Sequence, residues 1–293
     1  MNLNIFVSKE CFFYCKGCYS LSRVSKSEQS IETNNLIKFL RHARDYGIEK
    51  LTLCGGDPLI YDDIVNLLIQ IKKLNYKISL DTVGLNIIDD YTCKSGKTIK
   101  KIDAKILADL VNVIGLPIDG SNNAIIKQFR QADFDLLSCM LKIIEELNKY
   151  NANICINTVV HKENINDAKN ICNLMNDING INKWQLFKFA PLGYHAIKNK
   201  KLFEISQDEF LSFKNNIFNY INQDKKQIIE FKDFKARDKK YLMIGTSGDA
   251  WVPNYSQIMF NNESVITEER EIIGNINNPA DWDIVCKTIV REL

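Results

Sequence analysis

The chain has 293 residues, 45% hydrophobic and 25% charged, the proportions of an ordinary globular protein large enough for one sizeable core. Its 38 basic and 36 acidic side chains leave a formal net charge of +2, which gives no basis for a sequence-independent grip on nucleic acid, since that needs clustered cations. No apolar run approaches the roughly 18–20 residues of a membrane span. Met1–Glu10 has no basic segment ahead of a cleavable apolar one, so the expected location is cytoplasmic, away from DNA and membrane.

In chain order the apolar pattern switches between period 2 and period 3.6. Leu3–Val7 alternates as a strand and runs into a cysteine-rich loop. Asn34–Tyr46 predicts a helix striped by Leu36, Phe39, Leu40 and Ala43 and stopped by Gly47. Leu51–Cys54 reads as a short strand ending in Gly55-Gly56-Asp57-Pro58, and Tyr61–Leu74 as the next helix. Strand Tyr76–Val83, helix Ala104–Leu110, strand Val111–Ile118, helix Phe134–Tyr150, strand Asn153–Val160, helix Asp167–Met175 and strand Trp184–Ala190 continue the alternation. Six strands alternating with helices predict an α/β fold, a partial (βα)6 TIM-type barrel open on one side, because closure needs eight strands. After Pro191 the pattern changes to helix Gln207–Ile221, strands Ile228–Phe231 and Tyr241–Thr246, and a hairpin turned by Gly248-Asp249 into Ala250–Pro253. Residues 1–200 are therefore expected to form the barrel, and residues 201–293 a small C-terminal α+β extension that caps it. Lys198, Lys200 and Lys201 form a short basic cluster, expected to be a solvated face.

Nine cysteines in a chain with no secretory signal read as thiols or ligands rather than disulfides. Three of them, Cys11, Cys15 and Cys18, crowd into one loop after the first strand, where active sites of βα barrels lie. Three thiolates can hold three corners of an iron–sulfur cube and leave one iron open for chemistry. The same residues also suit a zinc site completed by His42 or Cys54, or an electron-transfer cluster with a remote fourth cysteine.

The spacing Cys11-x3-Cys15-x2-Cys18 after strand one, with the Gly-Gly-Asp-Pro turn after strand two, resembles the radical S-adenosylmethionine (SAM) superfamily. The resemblance implies a [4Fe–4S] cluster on the three cysteines and SAM chelated to the open iron. An electron then splits SAM to a radical that abstracts hydrogen from substrate, and a reducing partner such as flavodoxin or ferredoxin supplies that electron. It further implies SAM contacts from Gly55, Gly56, Asp57 and Pro58, from Thr82 at the end of strand three, and from Asn157 within Asn157-Thr-Val-Val160. Phe189 on strand six would lie on the adenine side, and Arg130 would face the SAM carboxylate. Taken alone, Asp57 and Pro58 read as a helix cap and its first residue, and Arg130 as an exposed helix charge.

Asp249-Ala-Trp-Val-Pro253-Asn254 resembles the hairpin opening the auxiliary domain of radical SAM peptide maturases, with Asn254 where a cluster cysteine stands. Only Cys286 lies beyond residue 191, so no second cluster is expected. The leading expectation is modification of a ribosomal precursor peptide by crosslinking or epimerisation, with Cys155 as hydrogen donor if it shares the inward face of Asn157, or else as a small apolar filler. Tyr19 and Tyr194 are candidate substrate platforms or rim packing. The alternatives are a viperin-like nucleotide enzyme, opposed by Cys155 and Gln185 where that group presents lysines, and a non-enzymatic electron carrier.

Overall fold

The computed structural model describes residues 2–20, 31–92, 96–253 and 271–290; Cys93 and Asn254 lie outside the described residues. Six strands carry the predicted alternation: β1 (Asn2–Ser8), β2 (Lys50–Gly55), β3 (Lys77–Asp81), β4 (Val113–Pro117), β5 (Ile154–Val160) and β6 (Ile181–Lys188). They pair in parallel in the order β6-β5-β4-β3-β2-β1. The α/β class and the barrel-like parallel sheet are as expected.

Residues beyond 200 enlarge this sheet at both ends. β7 (Ile229–Lys232) lies parallel to β6, and β8 (Tyr241–Ile244) lies parallel to β1. β9 (Asp249–Trp251) and β10 (Ile272–Asn275) then follow antiparallel. The parallel run therefore counts β7, β8 and the six predicted strands, and among the described residues the sheet ends at β7 and β10 without closing. The turn between β8 and β9 is a wider loop than the Gly248-Asp249 dipeptide: Gly245 N donates to Asp249 O at 2.8 Å, and Asp249 already begins the strand.

The longer helices are α1 (Thr33–Asp45), α2 (Ile64–Lys73), α3 (Ala104–Leu110), α4 (Asn123–Phe129), α5 (Leu136–Asn148), α6 (Ala168–Asp177), α7 (Gln207–Tyr220) and α8 (Trp282–Val290), with short helical turns at Tyr194–Lys198, Lys200–Phe203 and Phe234–Arg237. Each long one buries a stripe of helical period; in α5 it is Leu136, Met140, Ile143, Ile144 and Leu147, and Asp135 caps the start by accepting from Ser138 N. Ser206 and Glu209 close a reciprocal capping box on α7. Helix α4 is an additional element between β4 and α5, capped by Asn122, whose side chain accepts from Ile125 N at 3.1 Å. Among the described residues no helix is long and apolar enough to cross a membrane.

The strand alternation separates two environments. Leu51, Leu53, Ile78, Leu80, Ile114, Leu116, Ile154 and Ile156 are buried on the outer face. Thr52, Ser79, Asp81, Asn157, Val159, Lys183 and Gln185 project from the opposite face and stay half-buried, lining a polar hollow. This face assignment has a measurable consequence. Ile156→Ala should lower the unfolding free energy in urea by about 3 kcal/mol, whereas Val159→Ala should cost about 1 kcal/mol, because only Ile156 leaves a closed cavity.

Candidate active site

The cysteine loop leaves β1 after Ser8 and turns tightly, with Cys18 N donating to Cys15 O at 3.3 Å. Its one regular contact is a short ribbon in which Tyr14–Cys15 pairs antiparallel with Arg130–Gln131. Cys15 is buried, while Cys11 and Cys18 are half-buried. The sulfurs already receive donors suited to thiolates: Ser20 N lies 3.4 Å from Cys18 Sγ, and Arg130 Nη1 lies 3.7 Å from Cys15 Sγ.

The Gly-Gly-Asp-Pro turn braces the root of this loop. Gly56 N donates to Ser8 O at 2.7 Å and Asp57 N to Glu10 O at 2.6 Å. A Cβ on Gly56 would stand 2.0 Å from Glu10 O, and Gly55, at φ +140°, is 2.6 Å from Ser8 O by the same construction. The close approach that requires glycine is thus made to the neighbouring backbone. Asp57 caps the short helical turn Pro58–Ile60, accepting from Leu59 N at 3.0 Å, with Pro58 in its first position. It also accepts from Thr82 Oγ1 at 2.6 Å and from Val83 N at 2.7 Å. Burial pushes its carboxyl up to about 6 against those hydrogen bonds. Asp57 and Thr82 therefore lock the ends of β2 and β3 together.

Arg130 is not an exposed helix charge. It follows α4, is largely buried, and its guanidinium pairs with the fully buried Asp119 while reaching Cys15. Asp119 and the two thiols raise its pKa against the opposing effect of burial. Asp119 in turn accepts from Val159 N at 2.8 Å, so one carboxylate joins the cysteine loop to β5. Phe189 packs into an aromatic cluster with Phe129 and Phe203, at 6.2 and 5.7 Å between ring centres. Gly17 makes room for that cluster, since a Cβ there would lie 2.1 Å from the Phe129 ring.

Inside the hollow, Asn157 Nδ2 donates to Asp81 Oδ1 at 2.9 Å, and Cys155 Sγ lies 3.5 Å from Asn157 Oδ1. Cys155 thus shares the inward face of Asn157. The pair spans β4 only because residue 115 is glycine: a Cβ there would stand 2.1 Å from Asp81 Oδ1. Burial pushes the Cys155 thiol up to about 12, so it keeps its hydrogen at neutral pH. Burial likewise raises the Asp81 carboxyl to about 6. On the β6–β7 side, Glu230 binds Lys183 at 2.6 Å, Gln185 at 2.8 Å and Lys232, and these donors hold its carboxyl down to about 2. Gly115, Lys183, Glu230 and Lys232 belong to no motif, and strand parity groups residues such as Lys183 and Gln185 on one face without deciding which face is inward. Tyr19 and Tyr194 are both exposed, at 44% and 50%.

Among the described residues no three His, Cys, Asp or Glu side chains are arranged to hold a single metal ion. The donor set fits a cube instead: three thiols on one loop, two of them met by N–H donors, with a guanidinium to offset thiolate charge. Residues 5–175 match the model of the radical SAM superfamily, and the chain belongs to that superfamily. It is accordingly a radical SAM enzyme whose family uses a [4Fe–4S] cluster and SAM. By sequence it is 22% identical over 73% of its length to an S-adenosylmethionine-dependent nucleotide dehydratase of Flammeovirga pacifica, covering 71% of that protein. It is 28% identical over 64% of its length to a probable GTP 3',8-cyclase of Pyrococcus abyssi, of which it spans only 52%. By structure, Streptococcus suis SuiB bound to precursor peptide SuiA superposes on 99% of the chain with a TM-score of 0.70 at 17% identity, over 65% of that chain. The AdoMet-bound anSMEcpe superposes on 98% with a TM-score of 0.66 at 17% identity, over 79% of that chain.

The raised carboxyls set a pH dependence. Asp57 and Asp81 take up protons more readily folded than unfolded, so their contribution to stability falls as pH rises from their ordinary value of 3.8 to about 6. Asp81→Asn should remove about half of that decline, read as the shift in urea midpoint between pH 4.5 and pH 6.5.

Proposed function

We propose that this chain modifies a ribosomally made precursor peptide, forming a crosslink or inverting a stereocentre after hydrogen abstraction. Cys11, Cys15 and Cys18 would hold the cluster, which with SAM supplies the 5′-deoxyadenosyl radical. Backbone at Gly55 and Gly56 is proposed to meet the SAM ammonium group, with Asp57, Pro58 and Thr82 fixing that turn from behind. Asn157, held by Asp81, is proposed to bind the ribose hydroxyls, with Phe189 behind the adenine. Arg130 is proposed to meet the SAM carboxylate while anchoring Cys15. In an epimerisation Cys155 would give its hydrogen atom to the substrate carbon, and the reducing partner would restore the thiol with one electron and one proton.

The observation that carries the peptide reading is the charge balance of the inner wall. Lys183 and Lys232 face the hollow from β6 and β7, yet both are bound to Glu230. A triphosphate needs several uncommitted cations at one place. The precursor peptide in the SuiB structure and the peptide bound to anSMEcpe support the same reading. The viperin-like alternative draws on the nucleotide dehydratase relative and on Lys183 being inward. We further take residues 1–200 as the catalytic part of the barrel and residues 201–293 as an extension that lengthens its sheet through β7 and β8 and carries no second cluster; Cys286, the one cysteine of that segment, is fully buried in α8.

Co-expression with a short peptide encoded beside the gene should give a peptide lighter by two hydrogens, or one carrying deuterium after reaction in D2O. Stimulation of 5′-deoxyadenosine formation by nucleoside triphosphates instead would overturn the peptide reading. Asn157→Ala should weaken SAM binding by about tenfold in calorimetry, the worth of one or two hydrogen bonds. Lys188→Ala should leave it within about twofold, because Lys188 points away from the hollow to Gln207 and Phe234.

A further inference from the structure

The cluster Lys198, Lys200 and Lys201 has no part in the site described above, and its position in the fold is specific. Residues 193–203 leave β6 and lie directly against the cysteine loop. Asn199, between Lys198 and Lys200, donates through Nδ2 to Lys16 O at 2.9 Å, and Lys16 is the residue after Cys15. His195 Nδ1 lies 2.8 Å from the hydroxyl of Tyr14, the residue before Cys15. Gly193, at φ +81°, packs so tightly that a Cβ would stand 2.6 Å from Tyr19 O. At the far end Phe203 O accepts from Lys162 N at 3.1 Å.

One face thus presents Lys16, Lys162, Lys198, Lys200 and Lys201 around the outer side of the loop that carries Cys15. The acidic side chains near them are Glu163, Glu204 and Glu209; Glu204 pairs with Lys200 at 3.5 Å, and Glu209 lies within electrostatic reach of Lys162. Lys162, Lys198 and Lys201 are exposed, as is Tyr14. In a chain whose net charge is only +2, this concentration is local. It adjoins the segment Tyr14–Lys16 that carries Cys15, so a carrier bound there would stand beside one of the three thiols.

We propose that this basic face is the docking surface for an acidic one-electron carrier protein that reduces the cluster. One electron leaves the carrier's reduced centre and enters the cluster, and no atom is transferred. Opposite charge raises the encounter rate and orients the carrier with its redox centre toward Cys15, without demanding a large apolar contact. The inference rests on membership of the superfamily and not on the identity of the substrate.

The test uses iron-loaded protein with SAM and no substrate, measuring 5′-deoxyadenosine formed with either a reduced acidic plant-type ferredoxin or dithionite. Changing Lys198, Lys200 and Lys201 together to Glu should lower the ferredoxin-driven rate by about tenfold or more and leave the dithionite-driven rate within about twofold. Ferredoxin binding by calorimetry at low ionic strength should weaken in parallel. Raising salt from about 30 to about 300 mM should slow the wild type with ferredoxin and scarcely affect the variant. The same reversal at Lys50, Lys73 and Lys77, at the opposite end of the strands, should change neither rate. If the first variant fails to fold, replacement by Gln serves with a smaller expected loss. An unchanged ferredoxin-driven rate, an equal loss with dithionite, or an equal effect of the distant reversal would each overturn the proposal. None of these outcomes depends on whether the substrate is a peptide.

Discussion

Two backbone hydrogen bonds, from Gly56 to Ser8 and from Asp57 to Glu10, hold the root of the cysteine loop, and the rest of the site is arranged around that contact. The loop has little regular structure of its own, so its shape is imposed from outside. The turn after β2 grips one side, Arg130 and the short ribbon grip another, and residues 193–199 close a third. Such a grip works only where side chains are absent, because at 2.0 to 2.6 Å a Cβ would overlap a carbonyl oxygen. The glycines that suggest a ligand cradle are first of all the reason the loop has one conformation.

The same turn passes its rigidity inward. Asp57 bonds to Thr82 and Val83 at the end of β3, and β3 carries Asp81 into the hollow. Asp81 orients Asn157, and Asn157 lies beside Cys155. A continuous chain of polar contacts therefore runs from the cysteine loop to the floor of the hollow. Buried carboxylates are costly, and here hydrogen bonding offsets only part of the desolvation, which is why both acids are shifted upward. A site assembled this way trades stability for fixed geometry.

The sheet explains why the hollow is polar and the outer core is not. The outer face of the parallel strands is closed mainly by Leu, Ile and Val, with Trp184 on β6 donating to Thr158 on β5. The inner face would be filled by side chains in a closed eight-stranded barrel; here it is left open and carries Thr, Ser, Asp, Asn, Lys and Gln from β2 to β6, while Phe6, Cys54, Met243 and Trp251 form an apolar cluster at the β1, β2, β8 and β9 end. Strands β7 and β8 widen the sheet rather than closing it. Glu230 on β7 is the consequence that matters most, because it binds the two inward lysines and so sets the electrostatic character of the wall facing a substrate.

The alternation of β1 to β6 with their helices, the cysteine spacing and the Gly-Gly-Asp-Pro turn were all legible from the chain alone, since local periodicity and short fixed spacings are properties of neighbouring residues. The ribbon at Cys15 and the placement of β7 and β8 at opposite ends of one sheet were not, because they depend on pairing between segments distant in sequence. The sequence by itself determined which thiols belong together and which strand residues share a face. Only the tertiary structure decided that Arg130 is buried against Asp119 and Cys15, and that Asp57 is spent on β3. It also decided that Glu230 pairs with both Lys183 and Lys232, and that the lysines after Asn199 stand beside the cysteine loop. The reason is physical: a charge takes its role from the groups that come to lie within a few ångströms of it, and chain order does not record them.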